Sequence, residues 1–112
     1  MQILFIHTEA VAAAKEAVKD EVAKWTERYG SAEVAGACGF AWVNVYGVKL
    51  STKIGKEFKE LGFDKAYNGG IQLWNPSGYN GQNVDVKEAG ASAYAKVFEK
   101  YGYRAYAGSR MD

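Results

Sequence analysis

One cysteine, one proline, one histidine and a net charge of +1 are the sparse features of this 112-residue chain. With Cys38 alone, no disulfide can form within the chain. A free thiol set among Ala and Gly reads as a small buried hydrophobe, and the usage fits a reducing cytoplasm. His7 is the single histidine, so no Cys/His cluster exists for zinc, and no metal is expected. A Cys38–His7 pair is conceivable, but nothing in the sequence brings the two together. No stretch approaches the ~20 apolar residues of a membrane span. The opening MQILFIHT carries no basic leader or cleavage region. The expectation is therefore a cytoplasmic protein without a membrane partner. Lys plus Arg number 14 against 13 Asp plus Glu, so there is no bulk electrostatic footprint for nucleic acid, and only a local basic patch could supply one. The 13 glycines match neither a P-loop nor a dinucleotide fingerprint. No cofactor and no catalytic residues are implied.

What is present is the composition of one globular domain, 48% hydrophobic and 24% charged. Residues 2–6 (QILFI) read as a short strand, with Thr8 as the cap of a following helix. Val11, Ala14, Val18, Val22, Trp25 and Tyr29 recur at spacings of three and four, the apolar stripe of a helix that Gly30 ends. Residues 39–47 alternate: Phe40, Trp42, Asn44 and Tyr46 on one side, Ala41, Val43 and Val45 on the other. Both sides carry bulk, which predicts a central strand. Ser51 or Thr52 opens a short helix with Ile54, Phe58 and Leu61 inward, and Gly62 ends it. Asn68-Gly69 is a two-residue hairpin signal that should pair FDKAY with GIQLW. Asp85, with Glu88 three residues on, reads as the cap of a last long helix. That helix has Val86, Gly90, Ala93, Val97 and Tyr101 inward. Gly102 stops it, YRAYAG is the final strand and SRMD a polar end.

A repeat organises these elements. Lys56-x-Phe58-x-x-Leu61-Gly62-Phe63 recurs forty positions on as Lys96-x-Phe98-x-x-Tyr101-Gly102-Tyr103. Each copy is a helix end, a Gly stop and an aromatic strand start. With the hairpin, residues 39–108 become a ferredoxin-like β-α-β-β-α-β unit, preceded by the extra strand and long helix of residues 1–30. The fold class is α+β. The alternative is an α-β-β-β-α domain of double-stranded-RNA-binding type, built from helix 51–61, three strands and helix 85–101.

Two places invite a function. Trp42 and Tyr46 share a strand face that Trp74 should join from the hairpin, with Asn44 and Gln72 between. Such a face stacks bases in ferredoxin-like RNA-binding modules, but GIQLW does not match their signature. The plainer expectation is that helix 8–29, or a second copy of the chain, covers it. The other place is the polar loop at 75–85, with Asn75, Ser77, Tyr79, Asn80, Gln82 and Asn83 ahead of a helix N-terminus, where unpaired N–H groups favour anions. A cap at Asp85 would occupy those groups, and turns folded by Asn and Ser explain the same residues.

Residues 51–112, with their LGF, LWNPSGYNGQNVDVKEAG and AYAGSRMD segments, resemble small proteins of tailed bacteriophages. That resemblance implies an accessory protein acting in the host cytoplasm without enzymatic activity. The helix-LGF-hairpin-helix pattern is also similar to HicA-family RNA-cleaving toxins. These carry a catalytic His on the hairpin, whereas the strand here reads Ile71, Gln72, Leu73 and Trp74. The first reading of function is a non-enzymatic protein that acts through protein contacts, as a homodimer. The second is a nucleic-acid or nucleotide binder using the aromatic face or the 75–85 loop, and an enzyme is third.

Overall fold

A computed structural model describes residues 2–34, 36–67 and 69–112. Among them are three helices and four strands in the order α1 Ile3–Tyr29, β1 Gly39–Tyr46, α2 Lys53–Glu60, β2 Asp64–Lys65, β3 Ile71–Trp74, α3 Val84–Lys100 and β4 Arg104–Met111. The domain is α+β, and its four strands form one antiparallel sheet in the spatial order β2-β3-β1-β4. Only two strands lie between α2 and α3, so the α-β-β-β-α alternative does not describe it.

The N-terminal strand expected at residues 2–6 is a correction: this segment is the first turn of α1. A string of five residues has no decisive period of its own. Ile3 and Ile6 become a helical stripe only when continued by Ala10 and Ala14, and all four are buried. Leu4 and Phe5, on the other side, are exposed. Thr8 is therefore not a cap; inside the helix its hydroxyl donates to the Leu4 carbonyl at 2.8 Å. Gly30 does end the helix, at φ +84, with its N–H donating to the Thr26 carbonyl. The 27 residues of α1, about 40 Å at 1.5 Å per residue, set the longest dimension of the molecule, 46 Å.

The expected position of this helix is also corrected. It does not cover the helix-free face of the sheet. It runs antiparallel along α3 and touches α2, on the side where all three helices lie. The reason is the small-faced start of α3. A Cβ at Gly90 would stand 2.9 Å from Val18 Cγ2 and 2.9 Å from Ser77 Cβ, so only glycine admits this approach. At the other end Glu9 pairs with Lys100 and accepts from the Tyr101 hydroxyl at 2.6 Å. Val18, Val22 and Trp25 are half-buried and Tyr29 is exposed, so the stripe packs best through its N-terminal half.

The forty-residue repeat is one local structure made twice. Gly62 and Gly102 adopt φ +105 and +94. Their N–H groups donate to Lys59 and Glu99, and those of Phe63 and Tyr103 reach back to Phe58 and Phe98. That is the paired hydrogen bonding of a Schellman ending, with its hydrophobic clasp between the first and last residues. The clasp is Phe58 against Phe63 at 5.1 Å and Phe98 against Tyr103 at 5.7 Å, both edge to face. Phe58 also meets Phe98 at 5.7 Å, and Tyr94 stacks on Phe98 at 5.2 Å. The two repeats thus meet in one aromatic core, closed by Ile3 and Ile6 from α1.

The hairpin pairs Asp64 with Gln72 and Lys65 with Ile71. Ala66 donates to the Gly70 carbonyl and Gly69 to the Ala66 carbonyl. The strands therefore close at residues 66 and 70, leaving three residues between them rather than the two expected. Gly69 at φ +92 fits the left-handed end of such a three-residue turn. Asn68 itself lies outside the described residues. The last strand is longer than the YRAYAG segment: it continues through the supposed polar end to Met111, because β1 offers partners as far as Gly39.

Candidate functional site

Strand pairing decides which side chains share a surface. β1 alternates, and Ala41, Val43 and Val45 are buried under α3. Phe40, Trp42, Asn44 and Tyr46 face the side without helices. Register brings Trp74 opposite Trp42 and Gln72 opposite Asn44 from β3. From β4 it brings Arg104 opposite Tyr46, Tyr106 opposite Asn44, Gly108 opposite Trp42 and Arg110 opposite Phe40. Trp42, Tyr46 and Trp74, expected to share a face, do share it.

The rings form two groups. Trp42 and Trp74 lie 5.0 Å apart, with Phe40 edge-on to Trp74 at 6.0 Å. Tyr46 and Tyr106 lie 5.9 Å apart. Gly108 shapes the first group, because a Cβ there would fall 2.5–2.8 Å from the Trp42 indole. The indole thus lies across the bare backbone of β4. Trp74 and Tyr106 remain about half exposed, at 48% and 55%. The Arg110 guanidinium sits 5.7 Å from the Phe40 ring, and Lys87 Nζ reaches the same ring at 5.6 Å while donating to the Gly39 carbonyl at 3.0 Å. Arg104 and Arg110 are exposed, and the only carboxylate in the four strands is Asp64, on the edge strand, where Lys59 pairs with it at 3.1 Å.

Between the two ring groups lies Asn44. It is 7% exposed, and its Oδ1 is buried without a hydrogen-bond donor. Since no helix covers this side, its cover is the flanking side chains of the face itself.

The 75–83 loop is built differently, because its polar groups are used to hold it. Asn75, at φ +45, receives its place from an N–H bond to the Ala41 carbonyl and donates from Nδ2 to the Tyr79 carbonyl. Its Oδ1 is buried without a partner. Ser77 is buried beside Gly90 and accepts from the Tyr79 N–H at 3.3 Å. Glu33 ties the loop to the α1–β1 connection: it accepts from the Tyr79 hydroxyl and, at 2.6 Å, from the Gln82 N–H. The Gln82 N–H first, and the Tyr79 hydroxyl second, hold the Glu33 carboxyl below its ordinary range. Burial, with Glu33 adding to it, pushes the Tyr79 hydroxyl up to about 12. The cap of α3 is Asn83, not Asp85. Its Oδ1 accepts from the Asp85 and Val86 N–H groups, and its Nδ2 donates to the Ala32 carbonyl at 2.7 Å. Asn wins because its amide also has a donor for a buried carbonyl, which Asp lacks. Asn80 and Gln82 are exposed at the loop's outer surface.

Other candidates do not assemble. Cys38 is exposed rather than buried. It lies beside Asn83 at the start of α3, while His7 sits 2.6 Å from the Tyr94 hydroxyl. Those two positions on α3 are about 16 Å apart by helical rise, so no Cys-His pair forms. Burial lowers the His7 pKa and raises that of Tyr94, which suits a neutral ring accepting from the hydroxyl. Among the described residues no three His, Cys, Asp or Glu side chains group as metal ligands, and no helix is long and apolar enough to cross a membrane. Tyr106, Arg104, Arg110 and Lys87 were missed by sequence reasoning, and Phe40 was placed on this side of the strand but not counted among the candidates. Alternation within the expected strand YRAYAG carries the signal for Arg104 and Tyr106, and Arg110 follows only if that strand is read past residue 108.

No family model, curated protein or solved structure matches this chain.

Proposed function

We propose that the open sheet face binds single-stranded nucleic acid, stacking bases on its two aromatic groups. The observation that carries this is the pairing of half-exposed rings, Trp74 and Tyr106, with flanking cations, Arg104 and Arg110, on a face that no helix covers. Every base has a π-face, and stacking on an aromatic side chain contributes ~1–3 kcal/mol per base. Phosphates need cations beside the rings, and the one strand carboxylate, Asp64, lies on the edge strand opposite Gln72, where Lys59 pairs with it. A near-zero net charge is compatible with this, because two of the chain's 14 Lys and Arg, Arg104 and Arg110, lie beside the rings. We also group residues 39–111 with the ferredoxin-like folds. Support comes from the split crossovers: β3 lies between β1 and β2, and β1 lies between β3 and β4. A non-enzymatic accessory role fits the resemblance of residues 51–112 to small phage proteins.

Fluorescence anisotropy with a labelled single-stranded 15-mer tests the proposal. Binding should be saturable and should weaken as salt rises. Replacing both Arg104 and Arg110 by Ala should reduce the log–log salt slope by about 1.4, the value for two phosphate contacts on a single strand. Absence of binding at low salt refutes the reading. If the same protein then elutes as a dimer that Trp74→Glu dissociates, the face is an interface between two copies.

A further inference from the structure

The two aromatic groups do not touch. The Trp42 and Tyr46 rows are four residues apart on β1, about 13 Å at the strand rise. The β1 position between them is not aromatic: it is Asn44, with Gln72 and then Asp64 in register on one side and Tyr106 on the other. A platform built only for stacking, or only for apolar contact with a second copy, has no use for a carboxamide there. It has less use for one that is nine-tenths buried with an acceptor oxygen that no group of the protein satisfies. Buried acceptors nearly always have a donor, so such an exception asks for an explanation.

We infer that Asn44 and Gln72 form a base-reading element, which recognises the amino-bearing edge of a base held between the two stacking groups. This rests on the nucleic-acid reading of the face and specifies its selectivity. The unsatisfied oxygen of Asn44 calls for an N–H donor. Adenine offers its exocyclic amine beside a ring-nitrogen acceptor, the pattern that one Asn or Gln carboxamide matches with two bonds. Thymine presents carbonyl oxygens on both sides of its single N–H, and set against Asn44 Oδ1 those oxygens repel. The rings flanking Asn44 must part for the base edge to enter, so Tyr46 and Tyr106 act as the sides of the slot. Adenine is therefore preferred over thymine at one position, while the neighbouring bases are stacked without regard to identity.

The experiment compares labelled oligo-dA and oligo-dT of twelve nucleotides with the wild type and with Asn44→Leu, Gln72→Ala and Trp74→Ala. The wild type should bind oligo-dA roughly fivefold or more tightly, the lower end for one bidentate pair. Asn44→Leu and Gln72→Ala should bring the two affinities together while keeping oligo-dT binding. Trp74→Ala should weaken both oligonucleotides alike. Thermal melting supplies a second readout: Asn44→Leu replaces an unsatisfied buried amide by an apolar side chain of similar size, so its melting temperature should hold or rise. A carboxamide that only supports the fold would make that variant melt lower. Equal wild-type affinities, or a preference that survives both amide variants, would overturn the inference and leave the stacking platform intact. No binding of either oligonucleotide would overturn the platform and the inference together.

Discussion

On one face of the sheet Ala41, Val43 and Val45 lie under α3; on the other, Phe40, Trp42, Asn44 and Tyr46 have no helix above them. The same strand supplies both sets at alternate positions. The covered face uses small and β-branched residues because α3 lies on it, with Ala91 and Ala95 in the shared core. The open face uses large rings, and one of them needs the missing Cβ of Gly108 to lie flat. Burial demand explains the first face completely. It does not explain the second, where rings stay half exposed, cations flank them and an amide is left without a donor. That contrast is the ground for proposing a function at the open face.

Mutation of a ring at the centre of the aromatic core should break the comparison most clearly. Phe58 forms one aromatic clasp, touches both rings of the other and is fully buried. Phe58→Ala should cost about 3–5 kcal/mol in chemical denaturation. Trp74→Ala, removing a larger ring from the open face, should cost only about 1 kcal/mol, the scale of one aromatic pair. Equal losses would mean that the open face is structural. Next in size is Gly90→Val, which forces Val18 and Ser77 apart and should cost about 1–3 kcal/mol, read as a lower melting temperature.

A smaller effect sharpens the contrast between the face and the 75–83 loop. Asn83→Ala removes the α3 cap and the donor to the Ala32 carbonyl, so about 1–2 kcal/mol should be lost. Asn80→Ala, exposed on the same loop, should stay within about 0.5 kcal/mol. Neither should change oligonucleotide affinity if the loop is a brace. The smallest effect is in acid. The Glu33 carboxyl is held below its ordinary pKa in the folded state. Its contribution is therefore complete above the ordinary carboxylate value and fades as pH falls through the lowered one. Melting curves of wild type and Glu33→Gln should differ at neutral pH and converge as that range is passed; a constant difference would show that the Glu33 bonds do not depend on its charge.

These contrasts also show what the sequence makes legible. Alternation in residues 40–46 is sufficient to place Trp42 and Tyr46 together, because period is local; Trp74 joins them through the β1–β3 pairing, which the hairpin does not itself fix. The two Gly-aromatic helix endings were visible as a repeat for the same reason. Residues 2–6 misled because five apolar residues fit a strand or a helix equally. The cover of the open face was misplaced because an apolar stripe says that a helix packs, not where. Its true partner depends on Gly90 and Val18 meeting across 72 positions of chain. Asn83 was passed over as a cap because its second bond, to Ala32, is tertiary.

The central claim is that Trp42 and Trp74 meet bases directly. Intrinsic fluorescence tests it in a Trp25→Phe variant, which keeps only those two indoles. Titration with an unlabelled single-stranded oligonucleotide at low salt should quench the emission saturably, and Trp74→Ala in the same background should remove most of the change. Emission that stays constant while a labelled strand is bound would place the nucleic acid elsewhere and contradict the account.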